Sequence, residues 1–223
     1  MIAFMEPADA TNLSGISRVA SILADPSRLE IVVMLMDGRA FPVSELAVRA
    51  HVSVATASHH LSVLLEAGYV EVFAQGRHRY YRLVDLRLAE LVERLGALTP
   101  PCREPLSPVQ RTLFTGRSCY RHLAGQLGVS LRAGMERRGL ITRSGEVYEV
   151  TALGRAFWAD LGLFELPLGH FCLDWTERLP HIGGALGRTL FAHLLDLKWI
   201  AQGEIPRQVL ITSLGKERFR ELE

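Results

Sequence analysis

Cysteine is scarce in this sequence. The 223 residues include three of them, Cys102, Cys119 and Cys172, which is an odd number at wide spacing. Small secreted domains that depend on disulfides carry an even and dense set of cysteines. The scarcity therefore argues against a disulfide framework, and we expect free thiols in a reducing compartment.

Long apolar runs are missing as well. The sequence contains no stretch of about 18 or more uncharged apolar residues, the length that a membrane-spanning helix needs. Its first residues have neither the basic start nor the apolar core of a signal peptide. From these two absences we expect a cytoplasmic protein that does not contact a membrane.

The chain also lacks an excess of charge of one sign. It has 25 Lys and Arg against 24 Asp and Glu, with a formal net charge of +1. Because no strongly basic domain would attract nucleic acid through its overall charge, any contact with DNA has to come from a local basic patch. The hydrophobic content of 48% indicates an ordered chain that can bury a sizeable core.

What the sequence does contain is the pattern of two helices joined by a tight turn. Apolar residues at helical spacing predict a short helix that begins near Ser44. The periodicity is interrupted at residues 51–53, and a second helix is predicted over residues 54–67, where Gly68 ends it. Small or polar side chains occupy one face of the second helix and suit contact with base edges and phosphates. The residues assigned to this DNA contact are Ser53, Thr56, Ser58, His59 and Ser62.

A β-hairpin is predicted directly after the second helix. Residues 69–73 and 79–83 alternate as strands, and the chain turns between them through Gly76. Such a hairpin is the wing of a winged helix-turn-helix, and polar or basic side chains at its tip would hold phosphate or enter the minor groove. The tip residues predicted to contact DNA are Gln75, Arg77, His78 and Arg79.

Four motifs follow one another between Ala24 and Leu83. They are Ala24-Asp25-Pro26-Ser27-Arg28, Ser58-His59-His60-Leu61, Leu64-Leu65-Glu66-Ala67-Gly68-Tyr69-Val70 and Gly76-Arg77-His78-Arg79-Tyr80-Tyr81-Arg82-Leu83. In content, order and spacing they resemble the ArsR family of bacterial transcriptional repressors, and the likeness covers about residues 16–98. The resemblance implies a homodimer that binds an inverted repeat of double-stranded DNA and releases it when an effector arrives. It also implies a dimer interface made of helices at residues 12–23 and 86–98. The seam predicted on the second of them consists of Leu88, Leu91, Val92 and Leu95.

The two best-known metal sites of that family are absent from this sequence. One needs a Cys-Val-Cys-like motif on the helix before the turn, where residues 41–48 contain no thiol. The other needs Asp and His ligands on the dimer helix, where residues 85–94 contain no histidine. Any effector therefore has to be sensed elsewhere in the chain.

The length and the proline distribution predict two domains. A linker over residues 100–117 separates an N-terminal domain, residues 1–99, from a C-terminal domain, residues 118–223. Within the C-terminal domain, about residues 118–165 align with about residues 170–223. This self-similarity predicts tandem repeats, each a winged-helix-like succession of helix, helix, hairpin and helix. The expected fold class is mainly α with small β-hairpins, that is α+β.

The sharpest chemical pattern lies in these repeats. Cys119 and His122 are three residues apart at a predicted helix start, and Cys172 and His181 occupy the corresponding place in the second repeat. If the repeats pack as a pair, the two places could converge. Thiolate and imidazole ligands suit Zn²⁺, Cu⁺ or Ni²⁺, so the four residues are a candidate metal site.

Three other interpretations of these repeats stay open. A thiolate beside a histidinium could sense an oxidant or persulfide rather than a metal. A small organic effector could bind in an apolar pocket near Trp158, Phe171 and Trp175. The cysteines and histidines could also be structural, because cysteine is among the residues most often buried.

Two functional hypotheses follow from the sequence. The favoured one is a dimeric, sequence-specific DNA-binding transcriptional regulator without enzymatic activity, a repressor released by a metal, an oxidant or a small molecule. The alternative is a thiol-dependent enzyme in which a Cys and His pair from the C-terminal domain acts as nucleophile and base. The sequence offers no third catalytic member and no oxyanion site for such a pair.

Overall fold

The computed structural model describes residues 10–76, 78–84, 86–99 and 107–222. Arg77, predicted to contact DNA, and Cys102 lie outside the described residues. The chain divides into two compact units, of which the first comprises Met1–Leu35 and Arg39–Asp85 and the second Met36–Gly38 and Leu86–Glu223. Among the described residues, no helix has the length and apolar character needed to cross a membrane.

The first unit is a winged helix-turn-helix. Its helices are α1 (Ala10–Leu23), α2 (Pro26–Leu35), α3 (Val43–Arg49) and α4 (Val54–Glu66). Its strands are β1 (Phe41–Pro42), β2 (Val70–Gln75) and β3 (His78–Leu83). The strands form an antiparallel sheet in the order β1-β3-β2, in which β2 and β3 are the predicted wing. The predicted pair of helices and the hairpin are therefore both confirmed.

Local chemistry explains where α4 begins and ends. The Ser53 side chain accepts a hydrogen bond from the Thr56 backbone N–H at 3.1 Å, which satisfies a donor in the first turn. After the last turn the chain reverses at Gly68, whose φ of 74° favours glycine. The buried face of α4 packs into the core of the first unit through Ala57, Leu61 and Leu64.

The second unit contains six described helices, and the first of them, α5, directly follows the wing. Helices α5 (Leu86–Leu98), α6 (Pro108–Thr115), α7 (Gly125–Arg137), α8 (Ala152–Asp160), α9 (Gly184–Asp196) and α10 (Ser213–Leu222) make up its helical part. Its strands are β4 (Arg117–Cys119), β5 (His122–Ala124), β6 (Ile141–Ser144), β7 (Val147–Val150), β8 (Gly169–Leu173), β9 (Pro180–Gly183), β10 (Ile200–Gln202) and β11 (Val209–Ile211). The strands form the four-stranded sheet β6-β7-β8-β9 and the hairpins β4-β5 and β10-β11.

The same order of elements occurs twice in this unit, as hairpin, helix, hairpin, helix. The prediction that each segment opens with a helix was wrong, because β4-β5 and β8-β9 stand at those places. Tyr120 and Arg121 both have positive φ, as the central residues of a two-residue hairpin turn require. Neither residue type signals such a turn, which is why the pattern was misread. The origin of the two segments by duplication stays a prediction.

The division of the chain also differs from the boundary expected near residue 100. Helix α5 belongs to the second unit, and its Glu93 side chain is buried there. The expected linker contains α6, which begins with a capping box in which Ser107 and Gln110 satisfy each other's backbone N–H groups. The structure therefore places the division at Asp85.

Two glycines let helices α7 and α9 approach the hairpins that precede them. A Cβ on Gly128 would lie 2.3 Å from the carbonyl oxygen of Leu123, and one on Gly187 would lie 2.2 Å from that of Ile182. Gly128 and Gly187 therefore occupy equivalent positions in the two segments. No larger side chain fits without a shift of the backbone.

Replacing Gly187 by alanine should destabilise the protein by about 2 kcal/mol. Overpacking costs up to about 3 kcal/mol, and the higher helix propensity of alanine returns about 1 kcal/mol. Urea unfolding of the full chain measures the difference. The control is Gly15→Ala in α1, where a Cβ meets nothing within 4 Å, so stability should stay equal or rise. Equal stability of Gly187→Ala and wild type would contradict the close approach.

Candidate functional sites

The polar face of α4 points to solvent. Ser53, Thr56, His59 and Ser62 are exposed, and Ser58 is half-buried. The hydroxyl groups of Ser58 and Ser62 donate to backbone carbonyls one turn earlier, at 2.8 and 3.0 Å. Their oxygens keep lone pairs that can accept hydrogen bonds from an incoming ligand. The structure therefore presents all five residues assigned to this helix on an accessible surface.

The neighbouring histidines of α4 point in different directions. His59 is exposed, whereas His60 is buried with its Nε2 atom 3.6 Å from Oδ1 of Asp25. Asp25 also accepts a hydrogen bond from the Arg28 backbone N–H at 2.9 Å, and this bond, together with the charge of nearby His60, keeps the pKa of Asp25 below its usual value. His60 is thus part of the support of α4, and His59 is the histidine available on its surface.

The wing presents a smaller set of polar side chains. Gln75, His78 and Arg79 are exposed at the ends of β2 and β3. Arg82 is engaged within the hairpin, because its guanidinium donates to Glu71 and lies 5.0 Å from the ring of Phe73. The wing patch therefore rests on Arg79 among the described arginines of β3.

A second cluster of candidate functional side chains lies in the second unit. Cys119 faces His122 across the β4-β5 hairpin, and Cys172 faces His181 across β8-β9. The Nε2 atoms of the two histidines are 3.0 Å apart. One candidate ligand atom from each of the four residues lies within 4.8 Å of all the others. The structure thus brings together the four residues proposed from the sequence, through strand pairing rather than through a shared helix face.

The cluster is buried on most sides and open on one. Cys119, His122 and His181 are buried, and Cys172 is half-buried. A cavity of about 190 Å³ borders the cluster at His122 and Cys172 and is also lined by Glu90 of α5 and by His170. Small solutes can therefore reach the cluster from this cavity.

A buried charge network surrounds the cluster. Asp174 lies 3.3 Å from Nδ1 of His181 and 3.0 Å from the guanidinium of Arg117. Glu93 of α5 lies 3.4 Å from Arg117 and 2.6 Å from Arg207. These contacts place two carboxylates and two guanidinium groups in one connected, buried set.

The pKa values in this region follow from burial and pairing. Burial by itself would lower the pKa of His181, but hydrogen bonds with Asp174 and Cys119 raise it to about 9. Burial opposes ionisation of Asp174, yet His181 and Arg117 hold its pKa well below the usual range. A hydrogen bond with Cys172 and burial raise the pKa of Cys119 well above its usual value. A raised thiol pKa is the opposite of what a thiolate nucleophile needs, which counts against the thiol-enzyme alternative.

Sequence reasoning missed the charge network. Arg117 falls at the end of the expected linker and Glu93 on the predicted dimer helix, and neither was singled out from the sequence. Residues 175–177 form a turn in which the backbone N–H groups of Thr176 and Glu177 donate to Oδ1 of Asp174. Its Oδ2 atom accepts a further hydrogen bond from the Gly125 backbone N–H, at the start of α7, at 2.7 Å. No local pattern marks these residues as buried partners.

The aromatic residues suggested for an effector pocket are separated. Trp158 is fully buried in the core of the second unit, beside His193. Trp175 packs edge-on against Phe114. Phe171 lines the cavity next to the Cys and His cluster and lies under the guanidinium of Arg143 at 4.5 Å. These side chains therefore contact different neighbours rather than one common apolar pocket.

Comparison with known proteins identifies the family. A family model described as bacterial regulatory protein, arsR family, matches residues 25–72. The uncharacterized HTH-type transcriptional regulator YdfF of Bacillus subtilis is 39% identical over 214 residues, which is 92% of this chain and 95% of that protein. The chain belongs to the ArsR family of bacterial transcriptional regulators. The match to YdfF covers both units.

Other ArsR-type relatives match a smaller part of the chain. The HTH-type transcriptional regulator CmtR of Mycobacterium tuberculosis is 37% identical over 82 residues, 37% of this chain and 69% of that protein. A solution structure of the homodimeric winged helix-turn-helix DNA-binding domain of Mb0332 from Mycobacterium bovis, a possible ArsR-family regulator, has 30% identity. It covers 42% of this chain and 86% of that chain, with a TM-score of 0.36.

In this ArsR-family chain, the two metal positions of the family that were checked in the sequence lack the cysteine and histidine ligands. Residues 41–48, which form β1 and most of α3, contain no cysteine, and α5 contains no histidine. The Cys and His cluster lies instead in the second unit, between two hairpins that follow α5 in the chain.

Replacing Arg117 by methionine should lower the free energy of unfolding by about 3–5 kcal/mol. The change leaves Asp174 and Glu93 buried without one of their partners, and removing one member of a buried pair has this cost. Chemical unfolding of the full chain measures it. Arg218→Met is the matched control, because its pair with Glu221 is exposed and worth about 1 kcal/mol or less. Similar losses in both variants would contradict the role given to the buried network.

Proposed function

We propose that this ArsR-family regulator is a homodimeric repressor that binds an inverted-repeat operator in double-stranded DNA and releases it when an effector binds the second unit. The observation that carries the proposal is the exposed polar face of α4 on a helix whose other face is anchored in the core. Since the operator would be chromosomal DNA, the proposed place of action is the cytoplasm.

The surface of α4 has the chemistry of a major-groove reader. Its first turns carry the hydroxyls of Thr56 and Ser58 and the imidazole of His59, which can exchange hydrogen bonds with base edges. Val54, 50% exposed, offers an apolar contact of the kind that suits a thymine methyl group. Recognition helices use their N-terminal residues for base contacts, and these side chains lie there.

A dimer is supported by apolar side chains left exposed on the two helices that flank the DNA-binding region. Leu13 and Ile16 of α1 are 60% and 57% exposed, and Leu95 and Leu98 of α5 are 43% and 83% exposed. Leu91 and Val92 are half-buried, whereas Leu88 is covered within the chain itself. Burying such side chains against a second copy would remove apolar surface from water. The seam we propose therefore relies on Leu91, Val92 and Leu95 of the predicted set.

The effector is assigned to the second unit. The metal positions of the family checked in the sequence lack their ligands, and the cavity at the Cys and His cluster offers a site of suitable size for a small effector. Metal, oxidant and small molecule were the effector classes considered from the sequence.

Replacing His59 by alanine should relax the sequence preference of operator binding. A good base contact contributes about 1–3 kcal/mol of discrimination, so affinities for the operator and for a base-substituted operator should converge by that amount. Fluorescence anisotropy with the two duplexes measures the difference. Glu66→Gln, in the last turn of the same helix, is the control and should keep the preference. An unchanged preference in the His59 variant would remove this residue from the reading face.

Replacing Arg79 by alanine should reduce the salt dependence of DNA binding. Each phosphate contact adds about 0.9 to the slope of log affinity against log salt, so a dimer that loses one contact per protomer should lose about 2. Arg82→Gln is the control on the same strand, since Arg82 is already paired with Glu71. A loss of about 1 would point to a monomer on the DNA, and no loss would contradict the wing contact.

A further inference from the structure

We propose that Cys119, His122, Cys172 and His181 form a tetrahedral site for one divalent transition-metal ion of the Zn²⁺ class, and that its occupancy acts on helix α5. The metal site is argued from the second unit alone. Only the effect of the metal on operator binding rests on the proposed function.

The distances fit a four-coordinate ion. Zinc binds thiolate sulfur at about 2.3 Å and imidazole nitrogen at about 2.0–2.1 Å, which places the ligand atoms of a tetrahedron roughly 3.3–3.8 Å from one another. The four candidate atoms already lie within 4.8 Å of each other, and the two Nε2 atoms are 3.0 Å apart. Small side-chain rotations are therefore enough to close the site. Two sulfur and two nitrogen ligands are a donor set typical of zinc.

The backbone holds the ligands in two pairs. Each pair faces across adjacent strands, Cys119 with His122 and Cys172 with His181. The glycines of α7 and α9 leave room for the histidines. A Cβ on Gly128 would lie 3.4 Å from the Cβ of His181, and a Cβ on Gly187 would lie 3.0 Å from the Cβ of His122. A site built on paired strands needs little ordering when the metal binds, which favours affinity.

The charges of the site suit its burial. The two thiolates balance the charge of a divalent cation, so the ion and its four ligands together carry no net charge. Burying this neutral site costs less free energy than burying a net charge. Binding forms two metal–sulfur and two metal–nitrogen bonds. The thiol protons, and the proton on Nε2 of His181 where the ring is charged, pass to solvent. Cys119 is buried, which suits a metal ligand better than an oxidant sensor, because a sensor needs an exposed thiolate.

Asp174 contacts one of the proposed ligands, His181, without being a ligand itself. A metal-bound histidine usually donates its second ring nitrogen to a carboxylate, which fixes the orientation of the ring. Nδ1 of His181 lies 3.3 Å from Asp174, while its Nε2 faces the cluster. Asp174 is therefore a positioning residue for the metal site.

The same carboxylate connects the site to α5. Asp174 contacts Arg117, and Arg117 contacts Glu93 in the middle of α5. All three side chains are buried, so the charges act on each other with little screening by water. A metal that fixes His181 alters the hydrogen bonding of Asp174 and thereby the pairing of Arg117 with Glu93. Helix α5 also carries exposed leucines of the proposed dimer seam. Through α5, metal binding would therefore act on the dimer that binds the operator.

Titration of the metal-free full chain with Co²⁺ tests the site directly. We expect one ion per chain, with the visible bands of tetrahedral Co²⁺ and a near-ultraviolet sulfur-to-cobalt band, both removed when Zn²⁺ displaces the cobalt. Cys119→Ser and Cys172→Ser should each weaken the sulfur band and the affinity. The matched controls Cys102→Ser and His193→Gln should bind as wild type. An octahedral spectrum, a requirement for Cys102, or a Cys119–Cys172 disulfide formed by a chain that takes up no metal would overturn the site.

A second set of variants tests Asp174 and the link to α5. Asp174→Asn should lower metal affinity by 10–100-fold with one ion still bound per chain, and unchanged affinity would contradict its positioning role. Glu93→Gln should bind metal as wild type but lose the effect of metal on operator affinity, expected at about 5- to 150-fold in wild type. Metal bound by wild type without an effect on the operator would refute the link.

The outcomes separate this inference from the proposed function. Operator binding by a chain that binds no metal would refute the metal site and leave the repressor function standing. Metal binding at the four residues by a chain that binds no DNA would refute the repressor function and leave the site standing.

Discussion

The buried carboxylate of Asp174 is the constraint on which the second unit depends. An unpaired carboxylate inside a protein is costly, so its oxygens must be satisfied by donors brought from elsewhere in the chain. Here the donors are Arg117 at the start of β4, the backbone of Gly125 at the start of α7, and the Thr176 hydroxyl with the backbone N–H groups of the turn that follows Asp174. Nδ1 of His181 on β9 lies 3.3 Å from the same carboxylate. Asp174 thus contacts a residue of each cysteine-bearing hairpin, Arg117 of β4-β5 and His181 of β8-β9.

The functional site follows from that arrangement. With the β4-β5 and β8-β9 hairpins held side by side, the ligand pairs Cys119 with His122 and Cys172 with His181 face one another. Glu93 extends the same network to α5, the helix that begins the second unit. In the function we propose, the ArsR-type winged helix of the first unit contacts DNA and the second unit binds the effector, so the two activities belong to separate compact units.

Sequence patterns predicted the helix-turn-helix and the wing of the first unit with few errors. The apolar spacing of α4, its cap at Ser53, the glycine after it and the alternation of the wing are local features, and local features determine helix and hairpin boundaries. The second unit was harder. The sequence predicts a helix at Cys119 where the structure has a hairpin, because the turn residues Tyr120 and Arg121 adopt positive φ without being Gly, Asn or Asp.

By itself, the sequence determined that this chain carries a polar-faced helix after a tight turn and a wing, and that two cysteines and two histidines recur at matching places in its second half. Only the tertiary structure decided that those four side chains share one site, that Glu93 of α5 is buried rather than exposed, and that the chain divides at Asp85. The physical reason is the separation along the sequence over which each interaction acts. Periodicity and caps act within a few residues, whereas the pairing of buried charges joins positions more than fifty residues apart, such as Arg117 and Asp174, that no local pattern relates.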